Sequence, residues 1–178
     1  GGISAGALDG RSEVLDVLNP KGPPELRIRH TLTWNSNPIQ CAAGVAACRE
    51  YLSGAVQARA AALGAHVREK GNEILASRRV SGRLYGRTII HLYLGRIECE
   101  PDDVLSPPTA SVAHIMDPAQ ARIKSDLCLR LLQRGVATMG ARMFIMSAVH
   151  DNEAIDRTMT VFGSCLEDMI ADGVIASV

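Results

Sequence analysis

The chain has 178 residues, and its 19 Lys plus Arg are balanced by 19 Asp plus Glu. A neutral chain has no general attraction for nucleic acid or for an anionic membrane surface, and no apolar run approaches the ~20 residues of a membrane-spanning helix. Hydrophobic residues make up 47% and aromatics 3%, so any core is built from Leu, Ile, Val, Ala and Met, in one domain or two small ones. The cysteines, at 41, 48, 99, 128 and 165, have neither CxxC nor zinc spacing. They are expected to be reduced, mostly buried thiols of a cytoplasmic protein, with no metal. The opening GGISAGALDG lacks the basic and apolar regions of a signal peptide.

After that glycine-rich turn, RSEVLDVL (11–18) places Val14, Leu15 and Leu18 at helical spacing. Asn19-Pro20, Gly22 and Pro23-Pro24 then interrupt the chain. LRIRHTLTW (26–34) alternates at Leu26 and Ile28 and predicts a short strand. From Pro38 to about Arg78 the pattern is helical, with Asn37 as N-cap and Pro38 at the first helical position. Gly44, Gly54, Gly64 and Gly71 lie inside it. Each weakens a helix by ~1 kcal/mol relative to Ala, so two segments divided near Gly54, or one bent helix, are expected.

VSGRLYGRTIIHLYLGRIE (80–98) carries the strongest strand signal, and the proline-bearing 99–118 predicts a loop. PAQARIKSDLCLRLLQR (118–134) is an amphipathic helix closed by Gly135. VATMGARMFIMS (136–147) predicts a strand pair or one bulged strand. In 151–172 the apolar positions are Ile155, Met159, Phe162, Leu166 and Ile170, with Asp151 as N-cap and Glu153 and Asp156 favouring the positive helix end. The strand, helix, strand, helix order of 80–172 suggests a small α+β lobe.

Three stretches, in order, carry more than local structure: GGISAGALDGRSEVLDVL, HTLTWNSNPIQCAAGVAAC, and LLQRGVATMGARMFIMSAVHDNEAIDRTM. Together they resemble class III pyridoxal-phosphate-dependent aminotransferases, and most closely the glutamate-1-semialdehyde 2,1-aminomutase-like branch. The counterparts there are a glycine-rich G-A-x-G-G segment before a helix, H-G-G-T-F-x-x-N-P before an alanine-rich helix, and R-G-V followed by S-x-x-H-x-x-x-D-I-D-x-T. The resemblance implies an α/β chain that is the C-terminal part of a fold type I transferase. Residues 1–36 would end the large cofactor-binding domain, 37–79 would link, and 80–178 would form the small C-terminal α+β domain.

The same resemblance implies pyridoxal 5'-phosphate as cofactor, a small amino or oxo compound as substrate, and a homodimer with the cofactor site shared across subunits. Thr33, at the threonine before x-x-N-P, would contact the cofactor phosphate of the neighbouring subunit. A hydroxyl can donate to phosphate without adding charge, and backbone N–H groups near the start of the helix at Pro38 are expected to assist it. Arg142 stands where the aminomutases typically carry an acidic residue, and its guanidinium suits a substrate carboxylate. The family's cofactor-binding lysine would lie upstream of Gly1, and none of Lys21, Lys70 and Lys124 matches its motif. No catalytic residue is therefore assigned here. The isolated chain is expected to be inactive and to need the N-terminal part of the enzyme. The alternative is a non-catalytic dimerisation or interaction module derived from such an enzyme.

Other chemistry is weaker. His150 and Asp151 could form an acid/base pair, or a plain turn before a helix. His30 lies near Thr33, and His91 in the apolar strand is expected to be a core histidine. Arg27 and Arg29 are too few for a nucleic-acid patch.

Overall fold

A computed structural model describes residues 3–30, 33–99, 103–109, 111–140 and 143–177, with only the backbone of Met143. The elements are α1 (Ser12–Leu15) running into a 3₁₀ turn (Asp16–Leu18), α2 (Pro38–Tyr51), α3 (Ala55–Ser77), β1 (Gly82–Gly86), β2 (Ile89–Leu94), α4 (Val112–Ile115), α5 (Pro118–Gln133), β3 (Met143–Ile145) and α6 (Asn152–Ala171). The chain forms two compact units, Gly1–Gly54 and Ala55–Val178. The break falls where Gly54 takes φ 74° and its N–H closes on Tyr51 O at 3.0 Å. A left-handed residue ends a helix most cheaply as glycine.

The second unit is built on an antiparallel sheet in the order β1-β2-β3. Its register pairs Leu84 with Leu92, Gly82 with Leu94 and Ile90 with Phe144, so these share one face. That face is buried with Val67 and Leu75 of α3, Leu127 and Leu131 of α5, and Met159, Phe162, Leu166 and Met169 of α6. Phe144 meets Phe162 edge to face, with ring centroids 6.2 Å apart. The opposite face carries Tyr85 across from His91 and Ile89 across from Ile145.

Two glycines let α3 come down onto the hairpin. A Cβ at Gly64 would lie 1.9 Å from the carbonyl oxygen of Arg87, and one at Gly71 would lie 2.4 Å from Cδ2 of Leu84. Both would push helix from sheet, but only the first meets backbone.

Helices α3, α5 and α6 end alike. A left-handed residue after the helix (Arg79, φ 53°; Gly135, 82°; Gly173, 71°) bonds back three residues. The next residue bonds back five, as Val80 N to Leu75 O, Val136 N to Leu131 O and Val174 N to Met169 O. In each case the closing valine joins the same apolar core as the residue it bonds, as is common for this cap. In α3 an arginine occupies the glycine position.

Several expectations change. Residues 26–30 and 33–34 contain no strand: Leu26 and Ile28 are 62% and 61% exposed, and Ile28 makes one backbone bond, to Val17 O at 2.8 Å. Alternation forms a strand only beside another strand, and this unit supplies none among the described residues. Among its described residues the 136–147 segment yields one three-residue strand, β3. Of the cysteines only Cys165 is buried; Cys41, Cys48 and Cys99 are exposed and Cys128 is half-buried.

Two substitutions test this packing. Gly64→Ala is expected to lower the denaturation free energy by about 1–3 kcal/mol, and Gly71→Ala by less, because a leucine side chain can turn aside. Equal losses in urea melts would show that the helix–sheet distance is not set at Gly64. Arg79→Gly is expected to raise stability by about 1 kcal/mol by relieving the left-handed arginine. A loss would show that the Arg79 side chain holds something that the cap does not explain.

Candidate functional site

The stretch around Thr33 is held by short-range bonds. Asn37 N–H donates to Trp34 O at 3.2 Å, closing a turn over Asn35 and Ser36, and Ser36 takes the left-handed φ of 58°. Asn35 Nδ2 donates to His30 O at 3.1 Å across the base of the loop. Asn37 Oδ1 accepts from the N–H groups of Ile39 (3.0 Å) and Gln40 (3.2 Å), as expected of an N-cap. The Thr33 side chain stands on the exposed surface of this turn, and its hydroxyl has no partner among the described residues.

These bonds decide what the turn can offer an anion. The first helical N–H groups of α2 are spent: Pro38 has none, and those of Ile39 and Gln40 already serve Asn37. The contribution to a phosphate is therefore a neutral hydroxyl, not a helix end. As one donor among several that arrangement fits a phosphate group. It does not fit a complete phosphate site, because no cation belongs to the turn.

Beside the turn, a groove of about 1140 Å³ runs between Ile3–Leu8, Trp34 and the Cys41–Cys48 face of α2. His30 lines it and Thr33 does not. Arg142 lies outside the described residues, and so does Thr31.

The other sequence candidates have structural roles. His150 Nδ1 accepts from Ser147 N–H at 3.2 Å, and Asp151 Oδ1 accepts from Ala154 N–H at 2.7 Å, so the pair shapes the start of α6. Arg59 ties the same loop to α3, donating to Ala148 O at 2.7 Å and His150 O at 3.2 Å. His91 stacks on Tyr85 at 5.3 Å on the outer sheet face, half-buried rather than in the core. Lys21 is exposed in its turn.

Lys70 is not simply solvated. Its Nζ lies 2.7 Å from Asp156 Oδ1, and His66 Nε2 lies 2.8 Å from the same oxygen. His66 and Lys70 are one turn apart on α3, facing α6. The Lys70 hydrogen bond, and next the His66 bond, hold the Asp156 carboxyl below the usual carboxylate range. A second such carboxylate is Glu98, lowered first by the Thr109 hydroxyl and also by His114 Nδ1 at 2.9 Å. It staples the loop between β2 and α4. Neither cluster was legible in the sequence: the Asp156 partners, 90 residues apart, meet only when α3 and α6 pack, and those of Glu98 meet through the path of an irregular loop that no local pattern fixes. Among the described residues no group of His, Cys, Asp and Glu could hold a metal ion, and no helix is long and apolar enough to cross a membrane.

The Asp156 cluster has a pH signature. Its folded-state carboxyl is more acidic than the ~3.9 of an unfolded aspartate, so the carboxylate favours the fold above about pH 4 and that contribution is lost as the pH falls through the folded value. The difference in thermal midpoint between the native chain and Asp156→Asn should be full at pH 6 and close on acidification below about pH 4. A gap constant with pH would mean that the ionised pair contributes nothing.

No family model matches the chain. It is 30% identical over 164 residues to the glutamate-1-semialdehyde 2,1-aminomutase of Akkermansia muciniphila, a match covering 89% of this chain and 34% of that protein. An omega-transaminase from Sphaerobacter thermophilus superposes with TM-score 0.73 at 23% identity, over 89% of this chain and 34% of that one. A β-phenylalanine aminotransferase from Variovorax paradoxus gives 0.67 at 22%, over 91% and 35%. A transaminase described with PLP bound gives 0.68 at 20%, over 92% and 35%. The chain spans about a third of the length of these relatives.

Proposed function

We propose that this chain, which belongs to the class III pyridoxal-phosphate-dependent aminotransferase family and carries the C-terminal portion of that fold, works as part of an enzyme that moves an amino group on or between amino and oxo compounds. The observation that carries the reading is the 30% identity extending over 89% of the chain. The quoted motifs fall in family order along it. In this reading residues 1–36 close the cofactor-binding domain, 37–79 link, and 80–178 are the small domain.

Bound pyridoxal phosphate would supply the electron-withdrawing ring that lets an amino group change carbon skeletons or positions. The contribution of this chain is to bind and orient. Thr33 Oγ1 would donate to a phosphate oxygen of a cofactor held by the neighbouring subunit of a homodimer. The turn closed by Asn37 and braced by Asn35 shapes the backbone that follows Thr33. Arg142, immediately before β3, would hold a substrate carboxylate bidentately. No step of proton transfer is assigned to this chain: Lys70 is committed to Asp156, and Lys21 lies in an exposed turn. The same facts favour the second reading, an interaction module that keeps the dimer surface without the chemistry.

Thr33→Val keeps the shape and removes the donor. A hydrogen bond to a charged acceptor is worth ~1.5–3 kcal/mol, so in the complete enzyme the cofactor dissociation constant should rise roughly ten- to a hundredfold. Turnover at saturating cofactor should be preserved. Thr31→Val, two residues earlier, is the control. Equal losses at both positions would assign the effect to loop stability, and no loss at Thr33 in an enzyme holding pyridoxal phosphate would remove it from the site.

A further inference from the structure

We infer that the two units differ in kind: residues 55–178 fold around their own core, whereas residues 3–54 are a docking element that takes up its fold against the part of the aminotransferase fold lying outside these 178 residues. The inference rests on the family reading above. Among the described residues before Ala55 none is buried, while the buried core is drawn wholly from Ala60 onward. Trp34 is 68% exposed and Leu52 85%. A 14-residue helix such as α2, with no packed face, is marginal in water.

The apolar side chains nevertheless converge. Ile3, Leu8, Trp34, Val45 and Leu52 line the one groove, and Arg49 is the lining side chain charged at neutral pH among the described residues. At about 1140 Å³ it exceeds the roughly 300–1,000 Å³ of small-molecule pockets, and it is open along α2. That shape and chemistry fit an extended apolar protein surface. The comparisons indicate which one. The matched 89% of this chain is more than residues 55–178 could supply, so the match reaches into the first unit. In the Sphaerobacter enzyme the matched region is 34% of a single chain. There, the equivalent of this coreless segment belongs to one chain with the remaining two thirds of the fold.

Hydrogen exchange on the 178-residue chain is the test. Amides of α3, β2 and α6 are expected to exchange ~100-fold or more slowly than those of α2, at every chain concentration. Protection of α2 in dilute chain would show a core of its own, and protection rising with concentration would make a second copy the occupant. Either result overturns the inference. In a chimera in which residues 1–178 replace the matched third of the Akkermansia aminomutase, α2 should become protected to within about tenfold of α3. An unprotected α2 beside a protected α6 overturns the inference there. The double substitution Val45→Asp, Leu52→Asp should leave the melt of the chain alone unchanged and abolish α2 protection in the chimera; a lowered melt of the chain alone overturns the inference. Protection of α2 in a chimera that fails to bind pyridoxal phosphate keeps the docking element and removes the functional reading.

Discussion

The second unit depends on how closely α3 can approach the β1–β2 hairpin. Gly64 and Gly71, seven residues apart, lie on one face of the helix, against Arg87 O and the Leu84 side chain. That approach places Val67 and Leu75 within reach of the sheet face formed by Leu84, Ile90 and Leu92. The register then carries the constraint outward. Ile90 pairs with Phe144, so β3 is fixed beside β2, and Phe144 meets Phe162, so α6 is fixed against both. Only with α6 in place does Asp156 meet His66 and Lys70. The ion pairs are thus consequences of apolar packing and not its cause, as expected of pairs this exposed.

What could be read from the sequence follows the range of the forces involved. The bounds of α5 and α6 were legible because apolar spacing, the glycine after α5 and the Asp151 cap are local: Asp151 bonds the N–H of Ala154. The break at Gly54 was legible for the same reason. The strand expected over 26–34 is absent from the described residues of that stretch, because alternation describes a surface and not the neighbour that must pair with it. The interior glycines of α3 read as weaknesses from propensity alone. Their purpose depends on a hairpin that begins only at Gly82. Arg79 gave no cap signal at all, since arginine is not a left-handed residue by preference and is held there by the burial of Val80 and Leu75. At the candidate site, the Asn37-Pro38 cap was legible from its two residues. Its consequence was not: the same asparagine that starts α2 removes the helix end from the donors available to a phosphate.

That last point shapes the proposed division of labour. A phosphate dianion needs charge or many donors, and the turn at 33–37 offers only neutral donors, the Thr33 hydroxyl among them, on a braced loop. Such a group adds affinity and geometry to a site whose positive charge lies elsewhere; it cannot create one. A neutral donor also has an advantage in this position. It can be carried on the exposed surface of a unit without a core, where an unpaired cation would draw no such specific geometry from its surroundings. The bonds of the turn are local, Asn37 N–H to Trp34 O and Asn35 Nδ2 to His30 O. When the unit docks, the turn is therefore ordered through contacts that need no distant partner, which limits the ordering entropy lost when the two surfaces meet.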